Sequence, residues 1–192
     1  WLSFDFSASR VLTIAVNETF AAWFPDWSLC RNDFSDDLRR STPADFPSPI
    51  WTDQNGTLTV SKSAPRDYRL CLEDQVCVVV QCDDRVVSEA PLSGDVPVST
   101  RDHFLADQVM PRLLSQRDQL VLHAGAVCVK DQVLLLLGRS GSGKSTLVTS
   151  FQQAGYALMG DDAVMVSHGD GPPMARAIYP SLRLFPDSIE AL

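Results

Sequence analysis

Hydrophobic and polar positions change their period once along this chain, near residue 100. Before it, the apolar residues come in short runs or alternate, which is the strand pattern. Positions 11–16 are apolar-rich and predict a strand, whereas positions 24–49 are rich in Pro, Asp and Ser and predict loops. Asn55-Gly56 predicts a hairpin turn within 52–60, because both residues tolerate positive φ. Positions 68–72, 76–82 and 85–90 are separated by Glu73-Asp74 and Asp83-Asp84, and predict an antiparallel meander. After residue 99 the spacing turns helical, with Phe104, Leu105, Val109, Leu113 and Leu114 on one face and Ser99 or Thr100 as the cap. Pro111 should interrupt or kink this helix.

Two strongly apolar stretches follow, 120–129 and 132–137, with only Lys130 and Asp131 between them. A parallel crossover needs a dozen or more residues, so if these strands pair they pair as an antiparallel hairpin. A helical pattern runs from Lys144 to about Gln153, and a short strand at 156–162 ends in two acids. The pattern therefore predicts a β-rich region over 1–98 and an α/β region over 99–192.

Composition narrows the function classes. The chain has 192 residues, 45% of them apolar, which is enough to bury a core. Its net charge of −8 disfavours nucleic acid and anionic membrane as partners, since both need a basic surface. Its five cysteines form no C-x-x-C pair, so structural zinc and a disulfide framework are not expected. Cys71, Cys77 and Cys82 then read as small apolar residues in a reducing, cytoplasmic setting. The first residue is Trp1 rather than Met, which predicts a start further upstream.

One segment carries recognisable chemistry. Gly138, Arg139, Ser140, Gly141, Ser142, Gly143, Lys144 and Ser145 match G-x-x-x-x-G-K-[ST], with Thr146 directly after. An apolar strand precedes the segment and a helical pattern follows it. Glycines let successive backbone N–H groups converge on a phosphate, and the helix N-terminus adds its positive dipole end. In this pattern Lys144 reaches the β- and γ-phosphates of a nucleoside triphosphate, and the Ser145 hydroxyl binds Mg²⁺.

Asp161 and Asp162 close the next strand, where a carboxylate can grip the nucleotide's metal. The two need not act alike, since one can hold Mg²⁺ while the other accepts a proton from an incoming hydroxyl. His123 lies in the strand that would pair with the loop's own strand, which would bring it to the phosphate end. His103 and His168 have no such placement and read as surface residues.

These residues resemble a known family. Leu122-His123-Ala124-Gly125-Ala126-Val127, the loop at 138–145, Gly155 and Gly160-Asp161-Asp162-Ala163-Val164 look like the catalytic domain of HPr kinase/phosphorylase. Those bacterial protein serine kinases have a core similar to phosphoenolpyruvate carboxykinase. A divergent HPr-kinase-related branch, found with lasso peptide gene clusters, also has a segment resembling 178–188 here. The resemblance covers roughly 68–188 and implies an α/β P-loop domain behind a β-rich region. It also implies ATP and Mg²⁺ as cofactors, Lys144 on phosphate, Ser145 and Asp162 on Mg²⁺, Asp161 as base and His123 in support. The family's Glu- and glycine-containing signature segment is not seen, and Asp187 is the candidate in its place. Family members continue past the position of Leu192.

The expected function is an ATP- and Mg²⁺-dependent kinase acting on a hydroxyl, preferably Ser, of a peptide or protein such as a precursor peptide. A nucleotide-binding scaffold without phosphotransfer and a small-molecule hydroxyl kinase are the alternatives. A homo-oligomer stays open.

Overall fold

The computed structural model describes residues 16–31, 48–62, 65–73, 75–92, 96–139 and 141–179. The largest sheet holds six strands: β1 (Ser28–Arg31), β2 (Trp51–Thr52), β3 (Leu58–Lys62), β4 (Tyr68–Leu72), β5 (Val76–Gln81) and β6 (Val86–Pro91). Their order is β1-β6-β5-β4-β3-β2. The expected meander is β4–β6, paired antiparallel with Leu70 opposite Val78 and Val80 opposite Val87. The turn between β2 and β3 is wider than a two-residue hairpin, and of its Asn55-Gly56 pair only Gly56 takes positive φ, at 75°. The Asp53 carboxylate holds that turn by accepting from the Leu58 N–H at 3.0 Å and the Thr57 hydroxyl at 2.7 Å.

Several local expectations fail for reasons that lie outside the local sequence. Ser28–Arg31 sits inside the stretch expected to be loop, yet it is a strand, because it finds β6 in parallel register. Val16 opens a helix, α1 (Val16–Trp23), instead of ending a strand; the rest of 11–16 lies outside the described residues. Cys71 and Cys77 are not lone thiols. They stand opposite each other across β4 and β5, with Cα atoms 4.2 Å apart, and their sulfurs are bonded. These two cysteines therefore give no support to a reducing compartment.

The helix expected from Ser99 starts one residue earlier. It runs as α2 (Val98–Phe104), a wide π-helical stretch (Leu105–Val109) and α3 (Met110–Ser115), with Pro97 rather than Ser99 or Thr100 at its start. The widened turn ends two residues before Pro111, whose missing N–H would break a regular α ladder. These helices cover one face of the six-stranded sheet. Phe104, Leu105, Val109, Met110, Leu113 and Leu114 form one core with Val60, Leu70, Val78 and Val87 of the sheet. Phe20 of α1 and Phe24 just after it join the same core, as do Ile178 and Tyr179 from the far end of the described chain. The core thus runs across the expected boundary at 98/99. A buried ionic cluster ties the helices to the sheet. The Glu89 carboxylate bonds Arg101 of α2 and lies 3.3 Å from Arg31 of β1, which also pairs with Asp102 at 2.6 Å.

The remaining strands make two three-stranded sheets. One is ordered β10 (Ala157–Gly160), β8 (Ala124–Val129), β9 (Gln132–Leu137), with helix α4 (Lys144–Gln153) following β9. The other is ordered β12 (Met174–Ala177), β11 (Val164–Ser167), β7 (Leu120–Leu122). β8 and β9 form the expected antiparallel hairpin, and Lys130 turns it with φ of 56°. Among the described residues no helix is long and apolar enough to cross a membrane.

Candidate functional site

The stretch 120–129, which reads as one strand, is two. β7 ends at Leu122, β8 starts at Ala124, and His123 is the break. The facing strand breaks at the same level: β10 ends at Gly160 and β11 begins at Val164. Gly160 stands opposite Ala126 and Val164 opposite Leu122, so the two ladders share one register across the gap. Within the gap lie His123, Asp161 and Asp162. Asp162 has φ of 72°, a left-handed conformation that a residue with a Cβ enters at a cost and that clusters at functional sites. It lifts the backbone out of the ladder, and the freed Asp162 carbonyl accepts a hydrogen bond from His123 Nδ1 at 3.0 Å.

The glycine-rich loop opens at the same edge. Ala124 pairs with Leu137, so the last residue of β9 lies beside the first of β8. Gly138 therefore begins the loop at the level of His123. Gly141 and Gly143 take φ of 76° and 87°, the left-handed region that favours glycine. Gly143 is the residue from which α4 starts. Lys144 folds back over its own loop, with Nζ donating to the carbonyls of Gly138 at 3.0 Å and Arg139 at 3.1 Å. Gly138, Arg139, Gly141, Ser142 and Gly143 are exposed, while Ser145 and Thr146 are half-buried. Ser140 and Asp187 lie outside the described residues, as does all but the first two positions of the segment 178–188.

Close packing sets Asp161 and the helix against the same strand. Gly125 is the residue that permits it: a Cβ there would lie 2.4 Å from Val148 Cγ2 and 3.4 Å from Asp161 Oδ1. Val148 is one turn beyond Lys144 on α4. The missing side chain thus lets α4 and Asp161 meet over β8. Gly160 plays a similar part, since a Cβ there would lie 2.6 Å from Ala177 Cβ. Neither glycine follows from motif spacing alone. The available signal was a glycine inside an otherwise aliphatic strand, which marks close approach of a neighbour.

Asp161 is fully buried. Asp162 is partly exposed, but its Oδ2 is shielded from solvent and accepts no hydrogen bond among the described residues. A shielded carboxylate oxygen without a donor fits a cation. Mg²⁺ is commonly held by one or two carboxylates together with substrate phosphates, so a carboxylate such as Asp162 and a hydroxyl such as Ser145 are the donor types that ion takes. Among the described residues no cluster of three or more His, Cys, Asp or Glu side chains gathers around a metal-sized space. His103, in α2, and His168, just past the end of β11, are exposed. No protein-family model, curated protein or solved structure matches the chain.

Proposed function

We propose that this chain is an ATP- and Mg²⁺-dependent kinase of the HPr kinase-like type, working on a Ser hydroxyl of a peptide or protein. The single observation behind the reading is the meeting of three strand ends at one sheet edge. The glycine-rich loop leaves β9 there, His123 precedes β8, and Asp161-Asp162 follow β10.

In this reading the backbone N–H groups of the loop and the N-terminus of α4 receive the triphosphate. Lys144 exchanges its two carbonyl partners for phosphate oxygens, a stronger, charge-assisted contact. Ser145 and Asp162 would hold Mg²⁺, which would supply charge neutralisation at the triphosphate. Asp161 takes the proton of the incoming hydroxyl, whose oxygen bonds the γ-phosphorus as the bond to the leaving nucleoside diphosphate breaks. His123 positions Asp162 through the hydrogen bond to its carbonyl. The net charge of −8 favours a neutral or basic acceptor peptide.

Calorimetry with ATP and Mg²⁺ tests the first half of the reading. Lys144→Ala should weaken ATP binding about tenfold or more, the effect of losing one charge-assisted hydrogen bond. Unchanged affinity in that variant would remove the nucleotide assignment. Incubation with ATP and candidate Ser peptides tests the second half by a phosphopeptide mass shift. ATP binding without any phosphotransfer would leave the scaffold reading in its place.

A further inference from the structure

A second feature is built from other residues than the glycine-rich edge and does not depend on the kinase reading. Between the helices and the six-stranded sheet is a cleft of about 360 Å³. Its walls are mainly apolar, formed by Val60, Leu70 and Val80 of the sheet and by Val109 and Leu113 of the helical layer, with Tyr68, Ser115 and Gln116 adding polar atoms. Trp51, an exposed ring on the edge strand β2, stands at its rim. The size falls within the range of small-molecule sites, which are mostly apolar with a few placed polar groups.

The charged group lining it is Arg112 of α3. Its guanidinium stacks on the Trp51 ring at 5.6 Å from the centroid, and it donates to the Gln108 carbonyl at 2.7 Å and the Gln108 side-chain oxygen at 2.9 Å. It is half-buried, and burial pushes its pKa down because the cation has lost water. No carboxylate among the described residues pairs with it. Other arginines of this chain are treated differently: Arg31 and Arg101 meet Glu89, and Arg85 and Arg117 meet Asp26. In a protein of net charge −8, a partly desolvated arginine that lines an apolar cleft with no acid beside it favours an anion there.

We propose that this cleft binds a small carboxylic acid with an aromatic or branched aliphatic body. The carboxylate lies on the free guanidinium donors of Arg112, and the body fills the space between Trp51 and the Leu70–Leu113 wall. A single planar cation among apolar walls suits a monoanionic carboxylate. A phosphate dianion would lose far more hydration than one arginine returns.

Calorimetry of the whole chain with 4-phenylbutyrate and with its uncharged amide tests the site. The acid should bind saturably at one site and at least tenfold more tightly than the amide. Arg112→Gln should weaken the acid tenfold or more and leave the amide within twofold. Trp51→Ala, which removes an exposed ring outside the core, should weaken both compounds. Absence of saturable acid binding, or acid binding unaltered by Arg112→Gln, would overturn the proposal. If Arg112→Gln does not fold, the wild-type preference decides: equal affinity for acid and amide refutes the site.

Discussion

The imidazole of His123 donates through Nδ1 to the main-chain carbonyl of Asp162, 3.0 Å away. Because a carbonyl can only accept, Nδ1 carries a proton and, in the neutral ring, Nε2 keeps its lone pair. The bond spans the gap where both ladders break and steadies Asp162 in its left-handed conformation. Removing it with His123→Ala should lower phosphotransfer about five- to tenfold, the usual weight of one hydrogen bond. His123→Asn, whose amide can donate to the same carbonyl, should recover part of the loss. Equal activity of wild type and His123→Ala in a steady-state assay would assign the histidine to structure alone.

The adjacent acids should separate in their effects. Asp161→Asn is expected to cut turnover by about 10²–10⁴ while ATP still binds, because base catalysis acts in the transition state. Asp162→Asn is expected to raise the Mg²⁺ concentration needed for half-maximal rate. Mg²⁺ titrations of both variants read this directly, and identical behaviour would end the division of roles.

Gly125 predicts a packing effect with a built-in control. Gly125→Ala places a methyl 2.4 Å from Val148 Cγ2, so α4 must shift away from β8. The cost should be about 1–3 kcal/mol, as for other overpacked sites. Val148→Ala opens the space, so in a double-mutant cycle by urea unfolding the pair should cost less than the two single changes added. Strict additivity would place the helix elsewhere.

Acid stability should report on Asp53. The bonds from the Leu58 N–H and the Thr57 hydroxyl favour the ionised carboxyl and hold its pKa below the ordinary 3.8. The stability this carboxylate contributes is therefore complete above that ordinary value and is lost as pH falls through the lower folded one. Wild type should exceed Asp53→Asn in urea midpoint at pH 6, and the difference should shrink on going to pH 3. A difference independent of pH would mean that the charge of Asp53 plays no part in the turn.

Local choices are legible in the order of the amino acids alone. The meander of β4–β6 follows from alternation and acidic turns, and the Lys130-Asp131 hairpin from a connection too short to cross over. The loop between β9 and α4 follows from glycines placed where backbone of positive φ is needed. Lys144 is singled out as a candidate by the loop motif, and Asp161, Asp162 and His123 by their strand positions and the family resemblance. How they are set depends on the folded chain. Ser28–Arg31 became a strand because β6 offered a parallel edge, and Cys71 met Cys77 because two strands came into register. The single apolar run 120–129 divided at His123 because a facing strand broke at the same height, and Gly125 proved to be clearance for Val148 and Asp161. Alternation and turn chemistry act between residues a few positions apart and can be read in one dimension. Register, clearance and strand breaks depend on partners far along the chain, whose approach is set by packing that no local pattern encodes.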